Sequence, residues 1–504
     1  MIDAMIAEPS GLIPMIAAES ASSAIASHIF NSLLRYDKNL ELEGELAKSW
    51  DISKDQKTIT FHLKPDLKWA DGKPLTSADA LFTWQLVTDE KTRTPYASDF
   101  KLVTKAEAPD PLTFRVTYAQ PYAPALDSWS GLQIMPQHIL KGQDINTTAF
   151  ARNPIGSNYY RLAEWKNGES IVLATNPLAT QGVPKIDKLI TRIIPDPAAQ
   201  FLELMADNID VMNLDPIQYS RIVPARPELK QKIALYKELG NGYTYLGFNL
   251  KHAPFNDKRV RQAINYAIDK QELIDGVLLG LGEPIASPYK PGTRWVNPQL
   301  KPYAYDPAKA RQLLKEAGFA DHDGDGILDK DGKPLSFEIL LNQNKERATS
   351  AVLIQRRLKD IGIDVKIRQL EWASFLGRIK TSDFDAVILG WSLSLDPDQF
   401  SIWHSSQNHP GQFNFINYNN PQVDKLLEQG RLELNPDKRM KIYHEFSRLL
   451  LKDSPIVYLF EGYGLPAIHK RIRGIDNPAP PAGIGWNSQD WYIPEPLRRK
   501  EIVP

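Results

Sequence analysis

Three stretches of this 504-residue chain carry side chains spaced for chemistry. "HEFSR" places His444 and Glu445 at the start of the H-E-x-x-H pattern, in which two histidines one helical turn apart hold zinc. Arg448 stands in the second histidine's place, so a surface histidine on a helix is the better reading. "DPD" offers Asp396 and Asp398 as a glycosidase pair, but such carboxylates must flank a scissile bond about 5–9 Å apart. Two residues apart on one loop, they read better as an Asx-Pro turn that ends a strand. "DHDGDGILDKDG" sets Asp321, Asp323, Asp325, the Ile327 carbonyl and Asp329 at the ligand spacing of a calcium loop, with Gly326 at its sharp turn. Gly332 occupies the place of the expected bidentate glutamate. A structural calcium site and a solvated Asp/Gly turn are both open, and neither would be catalytic.

Other chemistries lack their residues. The chain has no cysteine, which removes thiol catalysis, disulfides and thiolate metal sites. It contains neither G-x-S-x-G nor a Walker G-x-x-x-x-G-K-[ST] stretch. Lys plus Arg at 60 nearly cancel Asp plus Glu at 61, leaving no electrostatic basis for binding nucleic acid or an anionic membrane. No apolar run approaches the ~18 residues of a membrane-spanning helix. The opening "MIDAMIAEPSGLIPM" has neither a positive stretch nor an apolar h-region, so no signal peptide is visible in it. The aromatics say more. Among 11 tryptophans and 19 tyrosines, Trp129, Trp295, Trp391, Trp403 and Trp486 fall at strand ends or in loops. Flat aromatic faces beside Asn and Ser suit a mid-sized polar ligand, which favours a binding cleft over a catalytic centre.

The elements that must position these residues alternate between strand and helix. At this length two or three domains are expected. Ile59, Phe61 and Leu63 alternate as a half-buried strand, and Leu112, Phe114, Val116 and Tyr118 repeat the pattern. Thr76 with Asp79 forms a capping-box start. Val260, Ala263, Ile264, Ala267 and Ile268 make one apolar helical stripe, with Asn256 as the expected N-cap. Asp306 and Pro307 open another helix, which Gly318 stops. From about residue 335 the order strand, helix, strand predicts an α/β unit with parallel strands. Helices near 421–434 and 437–452 then precede the strand "PIVYLF".

Several longer stretches, in this order, carry a resemblance. "TITFHLKPDLKWADGKPLTSADALFTW", "NPIGSNYYRLAEWKNGESIVLATN", "YLGFNLKHAPFNDKRVRQAINYAIDKQELIDGVL", "DPAKARQLLKEAGF" and "FDAVILGW" resemble the family-5 extracellular solute-binding proteins of bacterial ABC importers, the oligopeptide- and dipeptide-binding type. The resemblance implies an α/β, two-lobed periplasmic-binding-protein fold (type II-like) with an additional α/β domain and a hinge of two crossing strands. Lobe I would combine residues 1–39, 155–242 and 463–504, the extra domain 40–154, and lobe II 243–462. The crossings would lie near "GNGYTYLGFNL" and "FEGYGLP".

Function and site follow from the same resemblance. It implies a monomeric receptor in the periplasm or on the outer face of the membrane, free or lipid-anchored. Such a receptor closes over a peptide or other small solute and delivers it to the importer's permease subunits, with no nucleic acid, catalytic residue or cofactor required. The implied ligand-binding residues are Ser20, Tyr96, Asn249, Trp372, Arg378, Trp391, Ser392, Ser394 and Asn414. Relatives that bind peptides carry an aspartate for the α-ammonium where this chain has Ser394, so the solute class stays open between peptides, modified peptides, sugars and opine-like compounds. Asn249 and Trp372 have equally good structural readings, as a strand-end clasp and a core residue. The alternative class is a secreted hydrolase acting on peptides or oligosaccharides.

Overall fold

The computed structural model describes residues 1–499, so residues 500–504 of the expected C-terminal tail lie outside it. The chain is organised in two compact units. The first takes in Met1–Leu214, Gln218–Glu238 and the stretch from Leu465, and the second takes in Asp215–Ile217 and Leu239–Gly464.

The first unit holds a seven-stranded mixed sheet in the order Ile233–Leu235, Pro466–His469, Val211–Asn213, Ile2–Met5, Lys188–Ile193, Ser170–Thr175, Tyr160–Lys166. It also holds a four-stranded antiparallel sheet, Ala47–Ile52, Thr58–Leu63, Thr113–Tyr118 and Val103–Asp110. The alternation read from sequence places Ile59, Phe61, Leu63, Phe114, Val116 and Tyr118 on the buried face, where Phe61 and Phe114 pack against Trp129. Trp129 is therefore core. Residues 40–154, expected as a separate domain, have this sheet of their own, but their apolar side chains join those of the flanking segments in one cluster. The two flanking segments also meet each other at Gly156, where a Cβ would meet the Ile29 carbonyl oxygen at 1.9 Å. Only a glycine lets Ser157 and Asn158 donate their N–H groups to that oxygen, at 3.0 and 2.9 Å.

In the second unit the elements are, in chain order, strand β1 (Gly242–Phe248), helices α1 (Lys258–Ala267) and α2 (Pro307–Glu316), strand β2 (Ser336–Asn342), helix α3 (Lys345–Lys359), strand β3 (Asp364–Leu370), helix α4 (Trp372–Lys380), strand β4 (Ala386–Ser392), helices α5 (Pro421–Leu432) and α6 (Pro436–Asp453), and strand β5 (Ile456–Gly464). Their sheet runs β5-β1-β4-β2-β3. The pairs β2–β3 and β2–β4 are parallel, whereas β1 is antiparallel to both β4 and β5. Both faces are covered. Leu246, Ile339, Ile388 and Val457 pack with Val260, Ile264, Leu314 and Ile354 on one side. Tyr245, Val387 and Leu389 pack with Phe375, Tyr443 and Phe446 on the other. Each large apolar side chain so buried contributes about 1.5–3 kcal/mol. Asp306 caps α2 as expected, through its carboxylate to the Lys309 N–H. The cap of α1 is Asp257 rather than Asn256, because the Asp257 carboxylate accepts the Arg259 N–H. The carboxylate also opposes the positive end of the helix dipole, which an amide cannot do.

Candidate ligand-binding site

The site grows from the outer end of the strand pair β1–β4. Antiparallel register sets Tyr243 opposite Trp391 and Gly242 opposite Ser392. Gly242 is required there, since a Cβ would lie 2.2 Å from the Trp391 carbonyl oxygen. The half-buried Trp391 indole stacks on Phe415 at 5.8 Å and meets Phe413 edge-on at 5.2 Å. Tyr243 packs at 5.3 Å on Tyr458 and at 5.8 Å on Tyr245, so three tyrosines extend the aromatic surface. Asn241 ties the following loop down, donating to the Leu393 and Ser394 carbonyls at 3.0 and 2.7 Å.

A cation stands beside this surface. Arg347, in the first turn of α3, donates from Nη1 to Asn342 Oδ1 at 2.8 Å. Its guanidinium lies against Gly390, where a Cβ would be 3.1 Å from Nη2. Burial lowers its pKa to about 10, which the adjacent Glu346 only partly offsets. Burial in turn raises the Glu346 carboxyl. Among the described residues no carboxylate forms an ion pair with Arg347. An aromatic wall next to a desolvated, unpaired guanidinium is built to take an anionic, partly apolar molecule.

The family profile described as "Bacterial extracellular solute-binding proteins, family 5 Middle" matches residues 41–412. The chain belongs to this family. It is similar to the oligopeptide-binding protein AppA of Bacillus subtilis, 32% identical over 502 residues that cover 97% of this chain and 90% of that protein. The AppA structure, solved in complex with a nonapeptide, superposes with a TM-score of 0.92 at 29% identity over 98% of each chain. NikZ from Campylobacter jejuni, in complex with Ni(L-His), gives a TM-score of 0.88 at 30% identity over 98% of this chain and 99% of that one. The α/β periplasmic-binding-protein fold is thus shared along nearly the whole chain. As a family-5 solute-binding protein the molecule captures solutes and is not an enzyme, which removes the hydrolase alternative.

In this solute-binding protein the expected site residues fall into three groups. Trp391, Ser392 and Ser394 lie together at the end of β4, with both serines exposed. Ser394 Oγ donates to the Asp396 carbonyl at 3.2 Å. In the first unit, Ser20 is the exposed first residue of helix Ser20–Ile29, which the Glu19 carboxylate caps. That carboxylate, after burial and Asp99, raises the Tyr96 phenol, so Tyr96 and the Ser20 turn are neighbours. The remaining residues make contacts within the second unit itself. Asn249 is 1% exposed and donates to the Ser382 and Phe384 carbonyls. Asn414 is fully buried and clasps the His404 and Tyr418 carbonyls and the Tyr418 N–H. Trp372 stacks on Phe375 at 5.8 Å. Arg378 is committed to Asp383 at 3.0 Å and to Glu338 at 3.6 Å. Arg347, by contrast, has no carboxylate partner among the described residues.

The other motifs resolve simply. Asp396 receives both Nη atoms of Arg439 at 2.6 Å, and Asp398 receives Arg431 Nε and Nη2 at 2.8 and 2.7 Å. The Asp398 N–H donates to Asp396 Oδ1 at 2.9 Å, the Asx turn read from sequence. His444 Nε2 donates to the Arg294 carbonyl at 3.0 Å from a half-buried helix position, and Glu445 pairs with Arg448. Carboxylate oxygens of Asp321, Asp323 and Asp325 lie within 4.8 Å of one another. Asp329 departs from the expected set, because its carboxylate accepts the His322 N–H at 3.0 Å and meets His322 Nδ1 at 2.8 Å. The Ile327 N–H donates to Asp325 at 2.7 Å.

Arg347 was missed by the sequence reading, yet "NKERA" carries a signal. Asn344 caps α3 by accepting the Arg347 N–H, which puts a cation in a first turn whose dipole repels it. A residue placed against local preference there points to a use elsewhere.

Proposed function

We propose that this protein is the substrate-binding receptor of an ABC importer, capturing a peptide or peptide-like solute and passing it unaltered to permease subunits. The observation that carries the reading is Arg347, an unpaired guanidinium beside the Trp391 aromatic wall. It suits the carboxylate of an amino-acid-derived molecule, and the wall suits its apolar parts. Related proteins support the class: DppA from Helicobacter pylori was solved with the peptide STSA and AgaA from A. tumefaciens R10 with agropinic acid. Closure would occur by the hinge motion of periplasmic binding proteins, about Glu238/Leu239 and Gly464/Leu465, two of the four places where the chain passes between the units. The receptor would act as a monomer, in the periplasm or on the outer membrane face, with or without a lipid anchor.

Native mass spectrometry of the purified protein tests the reading, since retained cargo would show its mass directly. A carboxylate-bearing peptide or amino-acid derivative, released unchanged, is the expected result. A neutral sugar, or a cargo converted during incubation, would refute it. Calcium at Asp321, Asp323 and Asp325 is a subsidiary reading supported by their convergence. It predicts a small thermal stabilisation by calcium that a chelator reverses.

A further inference from the structure

Glu461 is the other charge at this strand end. It is 3% exposed, and its Oε1 has no hydrogen-bond partner among the described residues. Its position follows from an irregularity in the sheet. Along β1–β5 the register shifts between Thr244 and Tyr245, so that Thr244 faces Phe460 while Tyr245 faces Tyr458. Leu459 is the extra residue of this bulge. Side chains before it alternate, with Val457 in the core on the α1 side and Tyr458 on the aromatic side. Leu459 and Phe460 both face the α1 side, and the alternation resumes with its phase reversed. Glu461 is thereby turned to the aromatic face. Continued by one pair, the Thr244–Phe460 register sets Glu461 opposite Tyr243, which is itself opposite Trp391. The row across the sheet end is Glu461, Tyr243, Trp391.

The surroundings do not satisfy the carboxyl group. The positive charge of Lys290 and the Gly242 N–H favour its ionised form, but burial, with a smaller push from the facing Glu283, outweighs both. Lys290 Nζ is held by the Leu239 carbonyl at 2.8 Å, and Glu283 by the Tyr463 hydroxyl at 2.8 Å. An acid kept in apolar surroundings with an orphan oxygen weakens the fold, and such a cost is retained where the group has a partner from outside.

We infer that Glu461 is the anion that receives the positively charged nitrogen of the bound solute, an ammonium or guanidinium, against the ring of Tyr243. This rests on the solute-binding reading and deepens it: with Ser394 unable to hold an ammonium, Glu461 and Arg347 would select a molecule bearing both charges. A carboxylate beside an aromatic face is a favourable seat for such a cation.

The test compares wild type with Glu461→Gln, which keeps shape and removes charge, and with Glu461→Met as a second folded control. Probes are a mixed tripeptide library with free amino termini, the same library N-acetylated, and butylguanidinium with its neutral counterpart butylurea. Wild type is expected to favour each cationic probe over its neutral partner by about tenfold or more. Both variants are expected to bring that ratio close to one while still binding the acetylated library. An unchanged ratio in a folded variant, equal binding of free and blocked probes by wild type, or binding of no cationic probe would each overturn the assignment. Preference for butylguanidinium with neither library bound would remove the peptide reading and leave Glu461 standing.

Discussion

Two pairs of charges in the second unit make opposite use of burial. In the loop after β4, Asp396 and Asp398 are locked to Arg439 and Arg431, with side-chain exposures of 11% and 8% in one pair and 11% and 4% in the other. Elsewhere in the same unit, the half-buried Arg347 has no carboxylate partner among the described residues, and the buried Glu461 leaves Oε1 without a hydrogen bond although Lys290 contributes a positive charge. The locked pairs hold the loop's shape: Arg431 also lies 3.8 Å over Phe400, and Arg439 5.4 Å over Tyr443. The unlocked groups keep their interaction free energy for a guest. Acidity and burial alone therefore do not mark a site. What marks it is whether the protein supplies the partner.

The sharpest way to break this contrast is to unlock a locked pair. Asp396→Ala should cost about 3–5 kcal/mol of folding stability in chemical denaturation, because it strands a buried guanidinium. A loss below ~1 kcal/mol would mean that Arg439 finds solvent, and the distinction would fail. Trp391→Ala should weaken binding of the free-ended tripeptide library by about 1–4 kcal/mol in calorimetry, as expected for a buried aromatic anchor, with little change in stability. Arg347→Met should weaken binding of carboxylate-bearing probes by about 1.5–3 kcal/mol. Its folding stability should be unchanged or higher, the reverse of Asp396→Ala, and equal binding of tripeptides and their C-terminal amides by wild type would contradict the role.

The smallest effect concerns pH. Burial raises the Glu461 carboxyl from 4.5 to about 7, so ionising it costs the folded state more than the unfolded one. Stability from this group is complete below about pH 4.5, declines as pH rises toward 7, and stays reduced above that. Glu461→Gln should therefore melt on the order of a few degrees higher than wild type at pH 8, and the gap should shrink toward pH 5. A variant that melts lower at pH 8 would make Glu461 a structural acid.

Much of the scaffold was legible because its signals are local. The Thr76–Asp79 capping box, the Asp306–Pro307 start and the alternation through Phe61 and Phe114 each depend on neighbours within a few residues. Of the expected site residues, Trp391, Ser392 and Ser394 are the ones placed together at the end of β4. Asn249 and Asn414 have the residue type of a ligand contact, but burial gives them to the backbone. Arg378 was expected among the ligand-binding residues, yet it is paired with Asp383 and Glu338.

By itself the sequence determined which segments are strands and helices, which faces are apolar, and where helices start, since periods of 2 and 3.6 and cap chemistry are properties of short stretches. Tertiary structure alone decided which charges are paired. Asp396 and Arg439 are 43 residues apart and Asp398 and Arg431 are 33 apart, so no spacing rule joins them. It also decided that one extra residue in β5 turns Glu461 toward Tyr243, because a side chain's face depends on a register set by another strand.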